Sequence, residues 1–91
     1  METLFRKTLG NSPQLRVLEL FIEARELYYS FEDIKEETNI SPINLSKLLQ
    51  YWKKAEIIIS IKTVDNMVLY NLNLKNPIAK RMVEAFDEII K

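Results

Sequence analysis

The chain has 91 residues, 47% of them apolar, which is enough for one hydrophobic core and so for a single domain spanning residues 1–91. It contains neither cysteine nor histidine, which excludes disulfide frameworks, thiolate or imidazole metal sites and His-based triads. The 13 Lys and Arg balance the 13 Asp and Glu, and METLFRKTLG at the N-terminus lacks a long apolar stretch, so a strongly basic surface, a membrane partner and a secretory signal are all unexpected and a cytoplasmic location is the default.

Leu4, Phe5 and Leu9 suggest a short first turn closed by Gly10, the only glycine. Each of the three prolines then follows a side chain able to cap a helix, in Ser12-Pro13, Ser41-Pro42 and Asn76-Pro77, and all three read as helix starts. The first full helix is expected from Pro13 to about Glu26. Its apolar residues, from Leu15 to Ala24, sweep roughly 220° of the wheel and leave Arg16, Glu19 and Glu23 on the wet side. Leu27, Tyr28 and Tyr29 suit a short extended segment. Ser30 to Asp33 resembles a capping box with Asp in place of Glu, opening a second helix whose inner face carries Phe31, Ile34 and Thr38.

Phe31 to Lys54 reads as two helices joined by Asn39-Ile40-Ser41, a helix-turn-helix over residues 31–55. In its second helix Leu45, Leu48, Leu49 and Trp52 fall at i, i+3, i+4 and i+7 and make one narrow apolar stripe. Opposite lie Ile43, Lys47, Gln50 and Lys54, flanked by Asn44 and Tyr51 on one side and by Ser46 and Lys53 on the other. Charge divides along the chain: Glu19, Glu23, Glu26, Glu32, Asp33, Glu36 and Glu37 outweigh Arg25 and Lys35, whereas Lys47, Lys53, Lys54 and Lys62 outweigh Glu56. The outer face of this helix belongs to the positive pole and is the one available to a ligand. Asn44 and Gln50 can each make a bidentate contact to adenine, Lys47 can reach guanine or phosphate, and Ile43 can touch a thymine methyl.

Residues 57–74 carry two β-branched and aliphatic runs, and a two-residue turn at Asp65-Asn66 joins them as a hairpin. That turn predicts Thr63 opposite Val68, Ile61 opposite Tyr70 and Ile59 opposite Leu72, with these apolar pairs on one face. The last helix, residues 77–91, gathers its apolar residues within about 160°. That is more apolar surface than so short a chain can cover by itself. A two-fold homodimer through Ile78, Met82, Phe86, Ile89 and Ile90 is therefore expected.

This order of elements is that of a winged helix-turn-helix, an α+β, mostly α fold: a three-helix core, a two-stranded β wing and an additional C-terminal amphipathic helix. Through Ile40-Ser41-Pro42-Ile43-Asn44-Leu45-Ser46-Lys47-Leu48-Leu49 the chain resembles arsenic-repressor-like and multiple-antibiotic-resistance-repressor-like transcription regulators, most of all their short archaeal members. The resemblance implies sequence-specific binding of double-stranded DNA. Pro42, Ile43, Asn44, Ser46, Lys47 and Gln50 would lie in or beside the major groove, with Lys54 on the same face, and Lys62, Asp65 and Asn66 would lie on the wing. Two departures stand out. Ala55-Glu56 replaces the usual glycine after the third helix, so either the turn differs or one residue is left-handed, and the wing offers Lys62 and Asp65 where relatives tend to carry arginine. Metal sensing does not carry over, and no cofactor, catalytic residue or enzyme activity is expected. The alternative is a winged-helix protein-interaction module, an adaptor with a protein partner, favoured by the neutral charge, the acidic second helix and the apolar wing exterior of Met67 and Leu69.

Overall fold

The computed structural model describes residues 12–90; the turn expected at Leu4 to Gly10 lies outside them, as does the side chain of Ile90. In chain order the described elements are α1 (Pro13–Glu23), β1 (Tyr29–Ser30), α2 (Phe31–Thr38), α3 (Pro42–Lys54), β2 (Ile58–Lys62), β3 (Val68–Leu72) and α4 (Pro77–Ile90). The three Xaa-Pro starts behave alike. Ser12 Oγ accepts from the Leu15 amide at 3.2 Å, Ser41 Oγ from Asn44 at 3.4 Å, and Asn76 Oδ1 from Ile78 at 2.8 Å, each meeting an amide that the first helical turn leaves unpaired.

Helix α1 ends at Glu23, earlier than expected, because the chain turns through Ala24 and the Leu27 amide bonds back to the Ala24 carbonyl. Val17, Leu18, Phe21 and Ile22 bury one broad side of it. Glu19, expected on the wet side, is only 2% exposed: α1 is enclosed more completely than its apolar arc suggested. Arg16 reaches across to donate Nε–H to the Thr38 carbonyl at 3.0 Å, satisfying a C-terminal acceptor of α2.

Helix α2 opens with the expected capping box: Ser30 Oγ accepts from the Asp33 amide at 3.1 Å while Asp33 Oδ2 accepts from the Ser30 amide at 3.2 Å. It closes at Asn39, whose amide still bonds to the Lys35 carbonyl and whose left-handed backbone (φ 55°) then turns the chain out of the helix. Ile40 is buried and Ser41 restarts the chain as α3, so the turn between the two helices is the expected Asn39-Ile40-Ser41. Leu45, Leu49 and Trp52 bury the inner stripe of α3, and Leu48 packs half-buried beside them.

Where α3 ends, Glu56 is the left-handed residue (φ 61°) that a glycine would ordinarily supply. The Ile57 amide bonds to the Trp52 carbonyl at 2.9 Å and the Glu56 amide to Lys53 at 3.1 Å, a Schellman closure backed by the buried Trp52 and Ile57 side chains. The Glu56 carbonyl in turn accepts from Asn73 Nδ2 at 2.9 Å and Asn76 Nδ2 at 3.0 Å. Both asparagines come from the stretch that leads from β3 into α4, so one corner joins α3, the hairpin and α4.

The sheet has three antiparallel strands in the order β1-β3-β2, because the short segment before α2 pairs with β3 (Tyr29 with Tyr70, Ser30 with Leu69) and extends the expected two-stranded wing. The hairpin register differs from expectation by one residue: Ile58 faces Leu72, Ser60 faces Tyr70 and Ile61 faces Leu69. The cause is the loop. Asn66 alone has positive φ (64°), whereas the two-residue turn would have needed Asp65 to share it. Val64 joins the loop instead, closed by Asn66 N–H to the Thr63 carbonyl and Thr63 N–H to the Met67 carbonyl. The shift turns Ile58, Ser60, Tyr70 and Leu72 inward and leaves Ile59, Ile61 and Leu69 on the outer face. Phe21 meets Tyr29 edge-on at 6.2 Å between ring centroids, fastening β1 to α1.

Helix α4 presents Ala79, Val83 and Phe86 to the core. Phe86, expected at a dimer contact, is 4% exposed within the monomer, because the apolar arc of α4 serves the chain's own core along one of its edges. Arg25 donates to the Ile22 carbonyl at 3.0 Å and to the Asp87 carboxylate, and its own carbonyl accepts from Asn71 Nδ2 at 2.8 Å, so this one residue ties α1, α4 and β3 together.

Replacing Glu56 by Gly should stabilise the protein. A left-handed non-glycine residue costs about 1–2 kcal/mol, offset by about 0.4–1 kcal/mol from the freer unfolded chain, for a net gain near 1 kcal/mol. Thermal unfolding followed by circular dichroism should show a melting temperature higher by about 4–8 °C; an unchanged or lower value would show that the Glu56 side chain compensates the strain.

Candidate nucleic-acid interface

The outer face of α3 is the candidate site. The helix is fixed at its start by Ser41, along its length by the buried stripe and at its end by the Glu56 closure, so its solvent face is held on a rigid support. On that face Ile43, Asn44, Lys47, Gln50 and Lys54 are all exposed, Ile43 to 70%, and Pro42 is exposed at the start of the helix. An isoleucine so exposed, surrounded by amides and amines, gains nothing for the monomer's stability. Ser46, the remaining expected residue of this helix, is half-buried on the flank, and Gln50 donates Nε2–H to its Oγ at 3.2 Å.

The wing residues lie apart from this group. Lys62 shares a sheet face with Ile58 and Ser60, and the one-residue register shift makes that the face that packs against α3, while the residue stays exposed. Asp65 and Asn66 form the exposed tip, and Asn66 is there chiefly for its backbone conformation. The structure thus brings five expected residues onto one helix face, sets Pro42 at the start of the helix and Ser46 at the border of the face, and holds Lys62 and Asn66 on a second element beside it.

Sequence reasoning left Tyr51 out of the expected set, although it is 68% exposed. It lines a groove with Pro13, Gln14, Ile40, Asn44, Lys47 and Leu48. Its spacing, four residues after Lys47 and seven after Asn44, places it with Asn44 on the flank of the outer face. Lys53, also omitted, is exposed and borders a second hollow of about 180 Å³ with Phe31, Ser46, Leu49, Gln50 and Tyr70.

The acids of α2 have local employment. Asp33 closes the capping box, and Glu32 pairs with Lys35 at 2.9 Å, a contact that raises the lysine's pKa above its ordinary value. Burial, then the carboxylates of Glu37, Asp33 and Glu23, raise the Tyr29 phenol, which places part of this acidity beside β1. Among the described residues no cluster of three or more acidic side chains could hold a metal ion, and no helix is long and apolar enough to cross a membrane.

No family model and no curated protein matches the sequence. Solved structures do match the fold. A C30S mutant of Lactococcus lactis ZitR in complex with DNA is 27% identical, with a TM-score of 0.61 over 87% of this chain and 54% of that one. MepR, a transcription regulator of the Staphylococcus aureus multidrug efflux pump MepA, has a TM-score of 0.71 at 17% identity over 94% of this chain and 64% of that one. Reduced HlyU from Vibrio cholerae has a TM-score of 0.67 at 19% identity, covering 93% and 83%. The chain spans about half the length of the ZitR chains it matches. By its order of elements, its three-stranded sheet and these likenesses, the chain has the winged helix-turn-helix fold of MarR- and ArsR-type transcription regulators.

Proposed function

We propose that this protein is a sequence-specific, double-stranded-DNA-binding transcription regulator that acts as a homodimer, with α3 entering the major groove. The observation that carries the reading is the outer face of α3, where Ile43, Asn44, Lys47, Gln50 and Lys54 stand exposed on a helix held rigid at both ends. The likeness to ZitR, solved in complex with DNA, supports it. In this reading Lys47, Lys54 and Lys62 neutralise phosphates, Ile43, Asn44 and Gln50 meet base edges with Ser46 beside them at the border of the face, Pro42 abuts the backbone, and Asn66 presents the wing tip. Zero net charge is no obstacle, since Lys47, Lys53, Lys54 and Lys62 follow the helix-turn-helix junction with only Glu56 among them, whereas the acids from Glu19 to Glu37 cluster before it.

Dimerisation is assigned to α4, on a stripe adjoining its core-facing side. Ile78 and Ala85 are exposed and Met82 and Ile89 half-buried; at i, i+4, i+7 and i+11 they share one face. Ile90 was expected to join them. A two-fold dimer of this kind would set two α3 helices about 34 Å apart, one turn of duplex.

A second reading, a protein-interaction module, rests on the outer sheet face, where Ile59, Ile61 and Met67 are exposed and Leu69 half-buried.

Anisotropy titrations of labelled duplex over a salt series test the first reading. The wild type should lose affinity steeply as salt rises, and Lys47→Ala with Lys54→Ala should lower the slope of log K against log salt by about one unit per lysine; no salt-dependent binding, or no change in the double variant, refutes it. In sedimentation at micromolar concentration the wild type should run as a dimer and Met82→Glu as a monomer, and a monomeric wild type removes the dimer from the proposal. For the second reading, pull-down should recover a stoichiometric protein partner that Leu69→Glu releases; recovery of none would dismiss it.

A further inference from the structure

The long polar side chains on the outer face of α3 are not equivalent. Lys47, Lys54 and Asn44 extend into solvent without a side-chain hydrogen bond among the described residues, whereas Gln50 is tethered: its Nε2 donates to Ser46 Oγ, one helical turn back, at 3.2 Å. Ser46 is itself backed by structure. It is half-buried at the edge of a hollow floored by Phe31, Leu49 and Tyr70, where α3, the start of α2 and strand β3 converge. One solvent-exposed hydrogen bond thus holds the Gln50 amide toward the hollow between α3 and the sheet.

The tether leaves a defined chemistry. A glutamine amide has two N–H donors and one carbonyl acceptor; Ser46 takes one donor, and among the described residues nothing else bonds the side chain. What remains is one acceptor and one donor on a planar group. That is the pair which adenine complements in the major groove, through its N6 amine and N7. A free glutamine loses much of its rotamer entropy on making such a contact, but a tethered one has already lost part of it in the unbound protein.

We infer that Gln50 is the residue by which this protein selects adenine at one position of each half-site, and that Ser46 is a positioning residue which holds its amide for that contact. The inference rests on the DNA-binding reading above and specifies which base one side chain reads.

The experiment is in vitro selection from a randomised duplex library with the full chain and its Gln50→Ala, Gln50→Glu, Ser46→Ala and Ser46→Thr variants, with anisotropy on the selected site and its single-base substitutions over a salt series. The wild type should enrich adenine at one position per half-site. Gln50→Ala should lose roughly 5- to 100-fold of discrimination there and none elsewhere. Gln50→Glu, which can only accept, should move the preference to cytosine. Ser46→Ala should weaken discrimination at the same position with an unchanged salt slope, and Ser46→Thr, which keeps a hydroxyl, should restore it. Identical preferences in the wild type and both Gln50 variants overturn the inference and leave the DNA-binding reading standing; salt-dependent binding without base preference overturns the inference and the sequence specificity of that reading, leaving duplex binding alone. Unchanged discrimination in Ser46→Ala overturns the positioning role. Absence of any duplex binding by the wild type overturns both readings together.

Discussion

The fold turns on the corner at Glu56. Helix α3 ends there in a left-handed residue without glycine's freedom, and the Glu56 carbonyl is held by Asn73 and Asn76 from the opposite end of the hairpin. A helix end leaves its last carbonyls unpaired, and here the carbonyls of Trp52 and Lys53 are met by the amides of Ile57 and Glu56. The direction in which the hairpin leaves α3 is set by that closure, and the start of α4 is set by the same asparagine that caps it. Three elements therefore share one hydrogen-bonded joint. The orientation of α3 relative to the wing thus rests on backbone geometry and two amides together with the core formed by Leu49, Trp52, Ile57 and Ile58.

Much of this was legible because short-range rules were sufficient. The Ser-Pro and Asn-Pro starts, the Ser30–Asp33 capping box and the α3 stripe each depend on residues within one or two turns of one another, and the structure has all of them. The hairpin register was not legible. It depends on whether one or two loop residues take positive φ, and Asp65 and Asn66 are chemically suited to either arrangement. Periodicity likewise identified the apolar arc of α4 without dividing it: Phe86 lies on the core side and Ile78 on the other, although they belong to one sweep of the wheel. Glu19 shows the same limit, since a wheel reports which residues share a face and not how many faces are covered.

For the site, legibility followed from exclusion. Once Leu45, Leu49 and Trp52 are committed to the core, whatever stands opposite must face solvent, and that defined Ile43, Asn44, Lys47, Gln50 and Lys54. What the pattern did not contain is how these side chains relate to one another. The bond between Gln50 and Ser46 and the exposure of Tyr51 depend on rotamers and on neighbours from α2, β3 and the start of α1. The division of charge is legible at both levels, since α2 spends part of its acidity on its own cap and on Lys35.

Among the described residues the strand order β1-β3-β2 leaves β2 at the rim of the sheet, with alternate backbone amides and carbonyls facing outward beside Ile59 and Ile61. A rim of this kind is a template on which another extended chain can add itself, and apolar side chains make the addition more favourable. Two features work against it: the strand is only five residues long, and it ends in Lys62, whose amine would have to be stripped of water for a neighbouring strand to pass. Lys62 therefore has a reason to be where it is that concerns the protein's own colloidal behaviour, independent of any ligand.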